Sequence, residues 1–125
     1  MKYFTLPLIL ILFSSCVQET HTKTVTFKVD MTFVENVSNV GIRGDFTDNP
    51  WTQTAPLTDD NNDGIYEGTF LQKTAINQIQ FKFVNQGGDY ELKGTDNRVI
   101  EFEYNPEIIT YEAIFDVAEA KITKE

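Results

Sequence analysis

Cysteine occurs once in this sequence, at position 16, so no intramolecular disulfide can form. Histidine also occurs once, at His21 within the polar run "VQETHTK", and that run reads as a flexible linker. The body of the chain therefore offers no histidine metal cluster and no cysteine nucleophile with a histidine base. Basic residues are scarce: 10 Lys and Arg stand against 19 Asp and Glu, a formal net charge of −9. That balance argues against nucleic acid and anionic lipid headgroups as partners and leaves neutral ligands open. The longest apolar stretch, residues 6 to 13, falls well short of the ~20 residues that span a bilayer. No segment shows a convincing helical period.

The pattern that is present has period two. "TVTFKVDM" sets Val25, Phe27, Val29 and Met31 against Thr26, Lys28 and Asp30, as a half-buried strand does. "NVGIRG" turns Val40 and Ile42 inward, and "TAPL" suits a short edge strand because Pro56 cannot donate to a ladder. "IYEGTFL" puts Tyr66, Gly68 and Phe70 on one face. "AINQIQFKFV" puts Ile79, Phe81 and Phe83 inward and Lys82 outward. A hairpin through Gly87-Gly88 follows. "NRVIEFEY" alternates Ile100, Phe102 and Tyr104 with Glu101 and Glu103, and "ITYEAIFDV" closes the series with Tyr111, Ala113, Phe115 and Val117. Seven or eight short strands at this spacing predict an all-β domain, an immunoglobulin-like antiparallel β-sandwich over residues 24 to 118. Residues 119 to 125 are expected to be a frayed tail.

Residues 1 to 15 have the layout of a secretory signal: Lys2, the apolar run, then small residues. Leu12-Phe13-Ser14-Ser15-Cys16 resembles a bacterial lipobox. The resemblance implies cleavage before Cys16, acylation of its thiol and amine, and a membrane anchor carried on a tether over residues 16 to 23. In bacterial lipoproteins an Asp after the cysteine signals retention in the inner membrane. Val17 stands there, which implies the outer membrane of the cell envelope.

Three constellations merit a chemical reading. Glu101 and Glu103 share one face of a strand but alternate with core residues, as solubilising charges do, so no catalysis is expected. "DDNNDG" begins like a calcium loop with Asp59, Asn61 and Asp63 before Gly64. The twelfth position from Asp59 is Phe70 rather than a bidentate Glu, and Asp, Asn and Gly also make turns without metal. No cofactor is expected, with Ca2+ at these three residues left as an open candidate. Arg43-Gly44-Asp45 matches an integrin tripeptide, with Arg43 inside a strand.

The single tryptophan, Trp51, lies in the loop "GDFTDNPWTQTAPL". An indole there either presents a flat face on which a sugar ring can stack, or folds back as a hydrophobic plug or protein contact. Lys82, Tyr90 and Asn97 are candidates to surround a stacked sugar. "VGIRGDFTDNPWTQTAPLTDDNNDGIYEGTF" followed by "QFKFVNQGGDYELKGTDNRVIEF" resembles the starch-binding domain of carbohydrate-binding module family 20 and related glycogen-binding modules. The resemblance implies α-glucan binding without cleavage. It assigns Trp51 to stacking, Lys82 to the sugar rim and Asn97 to the final turn. The second stacking residue falls to Tyr90 or, in a shifted alignment, Leu92. Gly94-Thr95 departs from the Asp-Pro of that turn. The rival expectation is a protein-interaction or structural module of a surface complex, with the Trp51 loop contacting a protein partner.

Overall fold

A computed structural model describes residues 18–125, so the expected signal and the lipidation site at Cys16 lie outside the described residues. Nine strands and no helix are found among the described residues: β1 His21–Asp30, β2 Gly41–Gly44, β3 Ala55–Pro56, β4 Ile65–Thr74, β5 Gln78–Asn85, β6 Asp89–Tyr90, β7 Arg98–Glu101, β8 Glu107–Ile114 and β9 Ala120–Lys124. They form two sheets. The first has the order β4-β1-β8-β9; the second runs β3-β2-β5-β6, with β7 also paired to β5. This is the expected all-β sandwich.

Alternation in β1 builds the interface between the layers. Val25, Phe27 and Val29 are buried, while Thr24, Thr26 and Lys28 face out. Phe27 is fully buried, and its ring centroid lies 4.9 to 6.4 Å from those of Phe46, Phe70, Phe81, Phe83 and Tyr111. Most of these ring pairs meet edge to face, the arrangement favoured by aromatic quadrupoles. Ile42, Ile79, Ile100 and Ile109 join this core, as do Met31, Val40, Leu57 and Phe115. Each fully buried side chain of this size contributes about 1.5–3 kcal/mol of hydrophobic stabilisation.

Several details correct the expectation. The sandwich is not wholly antiparallel: β1 pairs with β8 in parallel, Phe27 opposite Tyr111. Parallel neighbours cannot be joined by a hairpin, and here β2 to β7 intervene along the chain. Alternation within a strand carries no information about its direction. β1 also begins at His21, so the last three residues of the expected tether belong to the sheet. Lys23 accounts for this. Its Nζ is buried and donates to the Glu103 and Asn105 carbonyls and, at 3.2 Å, to Glu107 Oε2. His21 packs edge-on against Tyr104, with 4.6 Å between centroids. Tyr104 itself lies past β7 and is exposed, as is Val117, so neither joins the core. The expected tail is instead β9, paired antiparallel with Ile109–Ala113 of β8.

Glu107 makes this end of the sandwich sensitive to pH. Its burial opposes the charged form. The Glu103 N–H, Lys23 and Lys124 outweigh that effect and hold its carboxyl below the ordinary value of 4.5. A carboxyl with a lower pKa folded than unfolded stabilises the fold above the unfolded value, and that contribution is lost as pH falls through the folded one. Glu107→Gln is therefore expected to melt below wild type at neutral pH, with the gap closing below about pH 4.5. Thermal melts of both proteins across that range check this, and a gap independent of pH would contradict it.

Candidate functional site

The outer face of the second sheet gathers residues that are far apart in the chain. Arg43 of β2 sits in register with Lys82 of β5, and Val84 of β5 with Tyr90 of β6. Residues two apart on a strand share a face, so Gln80, Lys82, Arg43 and Tyr90 point to the same side of the layer. Trp51 reaches that side from the loop between β2 and β3. A tight turn carries it there: the Asn49 carbonyl accepts bonds from the backbone N–H groups of Thr52 and Gln53 and from the Thr52 hydroxyl. Asn49 Nδ2 also donates to Gln53 Oε1.

Trp51 and Tyr90 lie side by side, with ring centroids 6.5 Å apart and planes inclined by 36°. Both are half-buried. The Tyr90 hydroxyl donates to the Trp51 carbonyl at 2.6 Å. Arg43 braces the pair from below, its guanidinium 5.4 Å from the Tyr90 ring centroid. Arg43 Nη1 donates to the Trp51 carbonyl and to Tyr90 Oη, Nη2 to the Gly87 carbonyl, and Nε to Thr54 Oγ1. Thr54 in turn donates to the Gly87 carbonyl. The loop bearing Trp51 and the hairpin bearing Tyr90 are thus cross-tied through one guanidinium.

The other two expected site residues differ in exposure. Lys82 is on the outer face as alternation predicts, but it is buried beneath the turn that follows β6. Its Nζ donates to the Leu92 carbonyl at 2.9 Å and the Thr95 carbonyl at 3.0 Å. Its amine is therefore largely spent on shaping that turn rather than standing free at a rim. Asn97 is exposed and donates to Gln80 Oε1 at 3.2 Å, on the same face. The ring that meets Trp51 belongs to Tyr90; Leu92 anchors elsewhere, its N–H donating to Asp116 Oδ1.

Asp59, Asn61 and Asp63 cluster, but their oxygens serve their own turn. Asp59 accepts from the backbone N–H groups of Asp63 and Gly64, and Asp63 from the Ile65 N–H and Asn61 Nδ2. The Ile65 N–H is the main reason the Asp63 carboxyl sits below its ordinary 3.8. Among the described residues no group of three or more His, Cys, Asp or Glu is placed to hold a metal. The charges of the Arg43-Gly44-Asp45 tripeptide are likewise engaged internally. Arg43 braces the rings, and Asp45 Oδ2 accepts from the Gln80 N–H.

Sequence reasoning misses two elements of this face and its support. Arg43 read only as part of a tripeptide, although its outward slot beside Lys82 places it on the site's face. Glu91 and Arg98 form a buried ion pair, Arg98 Nε to Glu91 Oε2 at 2.7 Å, directly under the hairpin and the turn that carry Tyr90 and Asn97. Their positions follow from alternation, since Arg98 shares parity with Ile100 and Glu91 follows outward-facing Tyr90.

No family model and no curated protein matches the chain. Among solved structures, the solution structure of CBM25-2 of the β/α-amylase from Paenibacillus polymyxa is similar over 84% of this chain and 94% of that one, at 18% identity and a TM-score of 0.47.

Proposed function

We propose that the Trp51–Tyr90 face binds an α-glucan chain without cleaving it, on a protein held at the cell envelope through a lipid on Cys16. The observation that supports this is the ring pair itself: two aromatic faces from positions 39 residues apart, held together and tilted by 36°. Sugar rings carry C–H faces that stack on aromatic rings. In a β-1,4-linked ribbon successive sugars extend flat, whereas an α-1,4-linked chain bends, so consecutive faces turn relative to each other. Two inclined rings suit the bent chain. Asn97 and Gln80 supply amides on the same side for rim hydroxyls, and Lys82 sets the turn that positions Asn97. The ring pair and its bracing groups are stacking and positioning chemistry, not a spaced pair of acids. A shallow surface of this kind binds in the range of about −4 to −8 kcal/mol, millimolar to micromolar. Many anchored copies would raise the avidity for one polysaccharide.

The lone tryptophan makes the test direct. Intrinsic fluorescence of the purified protein should shift and saturate with maltoheptaose and with β-cyclodextrin, and stay unchanged with cellohexaose. Absence of any shift together with unretarded migration in amylose gels would overturn the proposal.

A further inference from the structure

Trp51 has a φ of 64°, in the left-handed region that a bulky side chain seldom occupies. Backbone held there persists only when its surroundings over-determine it. Here the carbonyl of that same residue receives two bonds, a short one from the Tyr90 hydroxyl and one from Arg43 Nη1. We infer that Arg43 and the Tyr90 hydroxyl are positioning residues, a clamp that locks the Trp51 peptide and thereby fixes the angle between the two rings before any ligand arrives. The inference rests on the sugar-binding reading for its functional consequence, although the clamp itself is a property of the free protein.

The consequence concerns what the site reads. The Tyr90 hydroxyl gives its proton to Trp51, and the Arg43 N–H groups point to Trp51, Tyr90, Gly87 and Thr54. These polar groups look like natural partners for sugar hydroxyls but are committed inward. Ring faces, rather than these donors, meet the ligand, and selectivity comes from the fixed tilt. A surface preorganised this way loses less entropy on binding. Lysine cannot replace Arg43, because one ammonium does not present a planar fork to acceptors on two separate loops.

Tyr90→Phe tests the clamp, since it keeps the stacking ring and removes only the hydroxyl. Arg43→Lys tests it from the other side while preserving charge. Both variants should bind maltoheptaose roughly tenfold more weakly, the size expected from one lost hydrogen bond to a positioned group. Both should also show, without sugar, a new fast component in the fluorescence anisotropy decay of Trp51 and stronger quenching by acrylamide. Two results would overturn the inference: wild-type binding in both variants, whether or not the indole loosens, or lost binding with an indole as rigid as wild type. In the last case the hydroxyl would be contacting the sugar itself. If the wild-type protein binds no glucan, the sugar reading fails by itself, and the anisotropy of the free variants still decides the clamp. A loosened indole upholds it and an unchanged one refutes it.

Discussion

In amylose-containing gels the Trp51→Ala protein will migrate as it does in gels without polysaccharide, while its Tm stays close to wild type. The two halves of this result have separate causes. An aromatic anchor at the centre of a small contact surface typically carries about 2 kcal/mol or more of binding, a thirtyfold loss on truncation. For a ligand held in the millimolar part of the expected range that loss removes detectable binding. The effect on stability is small because the indole is half-buried on the outside of the second sheet and touches Tyr90 rather than the Phe27 cluster. Substitutions at such positions usually shift stability by less than about 1 kcal/mol. If Trp51→Ala instead melted far below wild type, the indole would be a plug. If it were retarded as strongly as wild type, the platform would lie elsewhere.

The largest effect on stability is expected at Glu91 and Arg98. Glu91 is fully buried and Arg98 nearly so. Glu91 Oε2 accepts from Arg98 Nε and from the Phe83 N–H, both at 2.7 Å, and Oε1 accepts from Arg98 Nη2 and the Asp116 N–H. Arg98 also donates to the carbonyls of Ile114, Val117 and Ala118 and to the Tyr111 hydroxyl, tying β7 in one sheet to the turn after β8 in the other. Its guanidinium lies 5.3 Å from the Phe83 ring centroid. Burial works against the Arg98 charge, but the hydrogen bonds and field of Glu91 outweigh it and raise the pKa of the guanidinium above its ordinary value.

Removing one partner leaves the other charge buried and uncompensated, at a cost of about 3–5 kcal/mol. Arg98→Met or Glu91→Leu should therefore lower Tm by roughly 10–25 °C for a domain of this size. Replacing both partners together should cost less than the two single losses added, because no orphan charge remains. Denaturant unfolding of the four proteins measures the coupling. Additive losses would mean that the pair acts as two independent side chains.

Much of the architecture could be read from alternation, and the limits of that reading are specific. β1 and β5 announced themselves through Val25, Phe27 and Val29 and through Ile79, Phe81 and Phe83. The same parity placed Lys82 outward, correctly for the strand. It could not show that residues 92 to 95 fold over the amine, because nothing local records a loop arriving from ten residues away. Arg98 occupied an inward slot in the pattern, but a charge at such a slot looks like an exception until its partner is known. That partner, Glu91, lies outside β7, just past the end of β6. β9 was invisible for the opposite reason. All five of its residues are exposed, so it has no buried face to alternate, and only its ladder to β8 makes it a strand. For the site, composition marked the Trp51 loop and the Gly87-Gly88 hairpin separately. Their meeting depends on β2 and β6 flanking β5 on opposite sides, and on Arg43 bridging the two loops.

The placement of β1 has a mechanical side. The strand is interior to its sheet, bonded to β4 along one flank and to β8 along the other. Tension entering at His21, as it would in a domain hanging from a membrane while gripping a polymer, runs lengthwise down both ladders. Many cross-strand bonds then share the load in shear, and none can be peeled away one at a time from a free edge. The strand nearest the proposed anchor is thus the one best seated to resist a tug.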